Sequence, residues 1–356
     1  KTENNSAIPY QETSSKSIQP ILNAKQVAEK IMRDLNEASL LLKDDRIIKE
    51  GVMNGMADDP NEKTLLRYRQ FRLNYYAIQA MKARLYLWTG DKANALATAK
   101  GIIEENNKHN TFTWIEKKAV TTGNNPNYIF STEVMFALYN KSRAKTYEML
   151  FSPKADMKNT LYFKGESTAE GDLLSKLTYF YDDMGDLRRN NTWTVEELTA
   201  NGQGGTTSKH KSICLKKFAD TNGDTNFRYM QPLMRLSEIY LIAAECATTP
   251  EEALPFINEL RKARNCVNME LPATDAEKAV QNMVWREFMR EMIGEGQLFF
   301  FYKRHAAEQM MSGTEFGKSN AWTGTVTALE GTYKMALDNY VWPLPEAVEA
   351  NRRAKN

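Results

Sequence analysis

The stretch of sequence that decides the fold is LMRLSEIYLIAAECATTPEEALPFINELRKAR, residues 233–264. Apolar side chains recur at spacings of three and four in both of its halves, which is the period of an amphipathic helix. They are Leu236, Ile239, Tyr240 and Ala243 in the first half, and Ala253, Leu254, Ile257, Leu260 and Ala263 in the second. Thr248-Thr249-Pro250 interrupts the pattern, as turn-forming residues do. The stretch therefore predicts two helices joined by a tight turn.

A second unit of the same kind precedes it in the chain. A long amphipathic helix is predicted over residues 64–89, Gly90-Asp91 ends it, and a further helix containing Ala95 and Ala99 starts almost at once. The small alanine side chains let the two helices approach closely. The two units are weakly similar to each other, which is typical of a tetratricopeptide-like repeat scaffold.

Two further helices and a contrasting central region complete the pattern. A helix is predicted after Asn23, which is its N-cap, and another over residues 278–294. Residues 106–230 contain glycine-rich and asparagine-rich runs, and their aromatic residues have no helical period. Short strands are predicted there at Val134–Tyr139 and Ile213–Phe218. The predicted fold class is mainly α, a helical hairpin scaffold with a loop-rich subdomain that contains a few short strands.

The composition limits the possible functions. The chain has 356 residues and a formal net charge of +2, so there is no electrostatic case for binding nucleic acid. Its mean hydropathy is −0.57, and no apolar run approaches the roughly 20 residues that span a bilayer. The cysteines Cys214, Cys246 and Cys266 lack metal-ligand spacing, so we expect buried thiols.

Four stretches together carry a resemblance to a known family. They are Leu233–Glu245, Ile257–Arg264, Glu287–Arg304, and Trp342–Glu346 with Asn351. The first is similar to an Arg-Leu-x-Glu-x-Tyr-Leu-x-x-Ala-Glu helix, and the last to a terminal Pro-Ile-Pro-x-x-Glu motif followed by asparagine. These motifs, in this order, resemble the SusD/RagB family of Bacteroidetes outer-membrane lipoproteins. The sequence departs from the family pattern at Gln297, usually Arg or His, and at Phe301, usually Asp.

The resemblance implies a function, a location and a partner. It implies non-catalytic binding of an oligosaccharide at the cell surface of the outer membrane, and its delivery to a TonB-dependent, SusC-like transporter barrel. The segment at Ala7–Tyr10 resembles one well inside the family's sequences. We therefore expect this chain to lack the leader, the lipidated cysteine and the first repeat helices.

The resemblance also suggests how the chain is organised. Residues 1–356 would form a single SusD-like domain, with an N-terminal helical repeat part at 20–108, a loop-rich insertion at 109–230 and a C-terminal helical part at 231–356. Loops on a rigid scaffold are where binding residues tend to collect.

Aromatic residues in these loops are the candidate ligand contacts. Sugar rings pack on aromatic faces, while their hydroxyl groups bond to nearby polar side chains. Trp114, Tyr128, Trp193 and Trp322 lie in predicted loops beside Asn or Thr. Each one alone is more simply a core anchor for its loop, but as a group they favour an aromatic binding surface. The other tryptophans, Trp88, Trp285 and Trp342, are predicted to be core residues.

Other candidate sites are less well supported. Asp220, Asn222 and Asp224 offer oxygens at alternate positions, as calcium loops do, but Gln231 stands where such a loop has its closing Glu. A polar turn is the favoured interpretation of this segment. No cofactor is predicted.

The carboxylates of Glu287, Glu291 and Glu295 could suggest glycoside hydrolysis. The arginines nearby in sequence favour a structural ion-pair face instead, and they are Arg286, Arg290 and Arg304. We therefore expect no enzyme activity. A RagB-type peptide-binding protein, a helical protein-docking module and a glycosidase remain the alternatives to glycan binding.

Overall fold

The computed structural model defines the arrangement of most of the chain. It describes residues 4, 6–55, 66–152, 161–164, 177–178, 180–201, 207–221, 223, 225–306, 340–341 and 346. The helices in this part are α1 (Ala24–Leu41), α2 (Ile47–Glu50), α3 (Tyr75–Thr89), α4 (Lys92–His109), α5 (Lys117–Thr121), α6 (Arg143–Leu150), α7 (Leu187–Asn191), α8 (Leu236–Cys246), α9 (Pro250–Ala263), α10 (Ala276–Met292) and α11 (Leu298–Arg304). The strands are β1 (Ser6–Pro9), β2 (Ile21–Asn23), β3 (Val134–Tyr139), β4 (Tyr162–Lys164), β5 (Trp193–Asn201), β6 (Thr207–Leu215) and β7 (Met230–Arg235).

Both predicted helical hairpins are confirmed, and their turns explain why the helices end where they do. Gly90 ends α3 in the left-handed region with a φ of 81°, and the Asp91 side chain accepts a hydrogen bond from the first turn of α4. In the second hairpin Thr249 caps α9, and Pro250 occupies its first turn, where a missing N–H costs nothing. The predicted cap Asn23 also forms a full capping box with Gln26.

The two hairpins pack together into one helical layer. Helix α4 lies against both α3 and α8, and α8 in turn contacts α9 and α10. Ala80, Ala83 and Ala99 are fully buried where α3 meets α4, so the helices approach closely as predicted. Helix α8 is buried along nearly its whole length, which makes it the centre of the scaffold.

The strands form small antiparallel sheets beside the helices. Strand β3 pairs with β7, and β6 pairs with both β4 and β5. The strand predicted at Val134–Tyr139 is confirmed at those bounds. The one predicted at Ile213–Phe218 belongs to a longer strand, β6, which ends at Leu215.

The predicted start of the first long helix is wrong. Among the described residues of 64–89, only those from Tyr75 onward are α-helical. Tyr68 has a left-handed φ of 54°, and the buried Asn74 side chain caps α3 while donating to the carbonyl of Met135. Long-range bonds of this kind override the local helical period.

The mainly α fold class is confirmed by this architecture. No helix within the described ranges has both the length and the apolar character to cross a membrane. The division at residues 108 and 230 stays a prediction.

Candidate functional site

The loop aromatics predicted to bind ligand pack mainly against the protein. Trp114 is half-buried, and its Nε1 donates to the carboxylate of Glu259 at 3.1 Å. Tyr128 is half-buried against the small cluster around Val120, and the Nζ of Lys216 lies 4.8 Å from its ring centre. Part of each ring is exposed, so both stay predictions as ligand contacts.

The ring of Trp193, predicted to face ligand from a loop, belongs to the core. The residue is only 7% exposed. Its Nε1 donates to the hydroxyl of Tyr181 at 2.9 Å, and Phe180 packs edge-on against it. Trp322 lies outside the described residues. Trp114, Tyr128 and Trp193 pack on three different hydrophobic clusters, and the joint aromatic surface that the sequence suggested stays a prediction.

The candidate calcium loop carries an ion pair at Asp220. The Asp220 carboxylate accepts from Arg228 through both oxygens, at 3.0 and 2.8 Å. The Arg228 hydrogen bonds lower the pKa of Asp220. Asn222 and Asp224 lie outside the described residues, and in the part of the chain that can be assessed no group of three or more His, Cys, Asp or Glu could hold a metal.

An exposed aromatic surface is centred on Tyr139. Its side chain is 55% exposed at the end of β3. Phe71 and Tyr229 brace it edge-on, with ring centres 5.5 and 5.3 Å from its own. Edge-to-face contacts of this kind are favourable and fix the orientation of the ring. We call Phe71, Tyr139 and Tyr229 the Tyr139 cluster.

The backbone around the cluster is held by the β3–β7 pairing. Tyr139 lies opposite Met230, and the N–H of Asn140 donates to the carbonyl of Tyr229 at 2.7 Å. Below this end of the ribbon, the buried guanidinium of Arg143 donates to the carbonyls of Phe227 and Met230. The exposed ring therefore stands on a rigid strand end rather than on a mobile loop.

Polar groups surround the cluster. The guanidinium of Arg228 lies 5.5 Å from the Tyr229 ring centre while it pairs with Asp220. Asn226 is exposed two residues before Arg228, and the half-buried Asn140 follows Tyr139 directly. Exposed aromatic faces bordered by amide, carboxylate and guanidinium groups suit ring-shaped ligands rich in hydroxyl groups.

A family model described as the SusD family matches residues 104–351. This is more than half of the chain. The chain belongs to the SusD family.

Solved SusD structures share the fold. A SusD superfamily protein of Bacteroides thetaiotaomicron has 20% identity and a TM-score of 0.65, with 98% of this chain and 70% of that chain covered. A SusD-like carbohydrate binding protein of Bacteroides vulgatus has 14% identity and a TM-score of 0.60, with 98% and 70% covered. Surface glycan-binding protein A of Bacteroides uniformis has 16% identity and a TM-score of 0.60, with 99% and 73% covered.

These similarities show the fold alone. The SusD chain described here spans between 65% and 74% of the length of solved neighbours. No curated protein sequence matches it.

The glutamates of the SusD signature form a buried ion network. Glu291 accepts hydrogen bonds from Arg188, Arg235 and Arg264, all of them buried. Glu287 pairs with Arg188, Arg261 and Arg290, at 2.8 to 2.9 Å. Burial disfavours the charged carboxylate of Glu287, but these guanidiniums outweigh it and hold its pKa at about 2.

The predicted ion-pair face is therefore structural, as expected, but most of its partners are different. Arg290 does pair with Glu287 one helical turn away. Arg304 instead pairs with Glu245, and the partners of Glu291 come from α7, β7 and the end of α9. These three arginines lie 27 to 103 residues from Glu291 in the chain, beyond the reach of any local spacing rule.

A second exposed aromatic surface corrects the assignment of Trp88 to the core. Trp88 lies at the end of α3 and is 40% exposed, and Phe300 on α11 is 42% exposed. Together they line a shallow groove that is open to solvent. The pairs Arg84–Glu238 and Arg304–Glu245 also line it, so these charged groups already have partners.

Sequence reasoning missed the Tyr139 cluster. One signal was present, because strand β3 ends in Leu138 and Tyr139 followed by Asn-Lys-Ser. Apolar residues on both faces of a strand end, followed by a polar turn, indicate exposed rings. The contributions of Phe71 and Tyr229 could not be found this way, since one lies in a short helical turn and the other just before β7, both distant in sequence from Tyr139.

Proposed function

We propose that this SusD family member binds an oligosaccharide at the Tyr139 cluster without chemically altering it. The observation that carries the proposal is the exposed, braced ring of Tyr139 with polar groups around it. Two solved neighbours are described as a SusD-like carbohydrate binding protein and a surface glycan-binding protein. Membership of the family supports the same class of ligand here.

The absence of catalysis is part of the proposal. Glycoside hydrolysis needs one carboxylic acid that carries a proton near neutral pH and a second carboxylate close by. Glu287 and Glu291 are buried, and arginines hold the pKa of each carboxyl well below its usual range. Carboxylates engaged in this way support the fold rather than proton transfer.

Delivery and location also belong to the proposal. The bound oligosaccharide would pass to a TonB-dependent, SusC-like transporter at the outer-membrane surface, where a lipid anchor would hold the protein. Family membership supports this arrangement. Co-purification of the full-length protein with an outer-membrane barrel tests the delivery step.

A direct test compares glycan binding by the wild-type chain and two aromatic variants. A glycan array followed by calorimetry identifies a ligand, and Tyr139→Ala is then expected to weaken its affinity at least about tenfold, roughly 1.4 kcal/mol. Trp88→Ala is the matched control, because it removes an exposed aromatic ring from the other surface. Tyr139→Phe keeps the stacking face and should retain most of the binding.

The outcomes separate the site from the function. If Trp88→Ala abolishes binding and Tyr139→Ala does not, the ligand lies in the groove and the site assignment is wrong. If peptides bind and no glycan does, the RagB-type alternative replaces the proposal. Release of shortened sugars during a long incubation would show a hydrolase.

A further inference from the structure

Positive charge is concentrated around the Tyr139 cluster. The segments that form and border it are residues 66–73, 138–149 and 219–229, and they contain seven Lys or Arg against three Asp or Glu. The net charge of the entire chain is only +2, so the remainder of the protein is slightly negative. These segments therefore carry a net positive charge within a nearly neutral chain.

Some of these charges are neutralised locally and others are not. Arg69 pairs with the buried Asp45 at 2.6 Å, and Arg228 pairs with Asp220. Lys141 and Lys145 are exposed just after Tyr139, on the turn that leads into α6 and on its first turns. Neither lysine takes part in a salt bridge within the described part of the chain.

Arg143, between these two lysines, adds a buried positive charge. The residue is 2% exposed, and its guanidinium donates only to backbone carbonyls, those of Ala219, Phe227 and Met230. Burial lowers the pKa of Arg143 to about 10, so the group stays charged at neutral pH. Asp220 offsets part of this charge, but it is also paired with Arg228, so the guanidinium of Arg143 adds positive charge beneath the backbone that carries Tyr229.

We infer that the Tyr139 cluster selects anionic oligosaccharides, whose sugar rings carry carboxylate or sulfate groups. This inference rests on the proposed function. Stacking on Tyr139 would accept many sugars, whereas the lysines and Arg143 distinguish a charged ring from a neutral one of the same shape. Lysine ammonium and buried guanidinium charges attract such groups over several ångströms without requiring a fixed geometry.

The first experiment varies the charge of the ligand and keeps its shape. Calorimetry compares oligogalacturonate with the same oligosaccharide after methyl esterification, and a chondroitin sulfate oligosaccharide provides the sulfated arm. We expect at least one anionic oligosaccharide to bind about tenfold or more tightly than its neutral or desulfated counterpart. The preference should shrink at high salt, because about 1 M salt shortens the screening length to roughly 3 Å.

The second experiment removes the charge from the protein. Lys141→Gln with Lys145→Gln should weaken binding of the anionic oligosaccharide several-fold and leave any neutral ligand unaffected. The matched control is Lys262→Gln with Lys278→Gln, which removes the same charge from exposed positions in the second hairpin and its neighbour. Equal effects of the two double variants would show that only overall charge matters, and would overturn the inference.

Tight binding of neutral glycans that depends on Tyr139 but not on ligand charge or salt would overturn the inference and leave the proposed function standing. Failure to bind any glycan, neutral or anionic, would instead overturn the proposed function, and the inference with it.

Discussion

Replacing Glu291 by Gln tests whether the buried ion network holds the protein together. The carboxylate of Glu291 accepts from Arg188 and Arg235 at 2.8 and 2.9 Å, and from two nitrogens of Arg264 at 2.6 and 2.9 Å. Gln has nearly the same volume, but it is neutral and presents a single acceptor oxygen. The substitution therefore removes the charge while creating almost no cavity.

The expected cost follows from what remains around the three arginines. Arg188 keeps Asp186 and Glu287, Arg235 keeps Glu295, and Arg264 keeps Glu133. Removing one partner from a buried charged pair typically costs about 3–5 kcal/mol. Because no guanidinium is left entirely unpaired, we expect the lower end, about 3 kcal/mol in the free energy of unfolding.

Urea denaturation followed by circular dichroism measures this change. The control is Glu12→Gln, because Glu12 pairs with Lys30 and Arg33 on the surface, with all three side chains substantially exposed. Exposed pairs contribute up to about 1 kcal/mol, so the control should unfold close to wild type. A loss for Glu291→Gln no larger than that of the control would refute the role given to the network.

Two further predictions concern the same region. Lowering the pH from about 4.5 to 2 should destabilise the protein, because the folded pKa of Glu287 is about 2 against an ordinary value of 4.5. The loss in the free energy of unfolding is on the order of 3 kcal/mol. Urea midpoints should be equal at pH 7 and 5 and lower at pH 3. Gly294→Ala should cost roughly 2 kcal/mol, since Gly294 has a φ of +78° and a Cβ there would lie 2.7 Å from Leu215. Gly101→Ala in α4 has open space around it and should be neutral or stabilising, and equal thermal shifts for the two alanine variants would contradict the argument.

The helical scaffold could be predicted because its signals are local. Gly90 ends α3, and Thr249 with Pro250 begins α9. Both boundaries depend on hydrogen bonds to residues within one helical turn. The start of α3 could not be predicted, since it depends on a bond from Asn74 to Met135, 61 residues away. Sequence patterns report interactions between residues close in the chain, so the helix boundaries set by such interactions were predicted correctly.

The functional residues were harder to predict for the same reason. A tryptophan in a loop can anchor that loop or face a ligand, and the sequence does not distinguish the two cases. Trp193 anchors its segment in the core. Trp88 was predicted to be a core residue because it lies in a scaffold helix, but it is substantially exposed. Only the packing around each ring decides between these roles.

The ion network and the Tyr139 cluster are connected through the β3–β7 ribbon. At one end of the ribbon Val134 lies opposite Arg235, which pairs with Glu291, and Glu133 just before β3 pairs with Arg264. At the other end Tyr139 lies opposite Met230, beside Tyr229. Six residues of extended chain separate the two ends by roughly 17 Å. The buried ion pairs of Arg235 and Glu133 thus fix one end of the β3–β7 ribbon. The ribbon cannot shift its register without breaking these ion pairs, so the exposed ring of Tyr139 at its other end keeps its position.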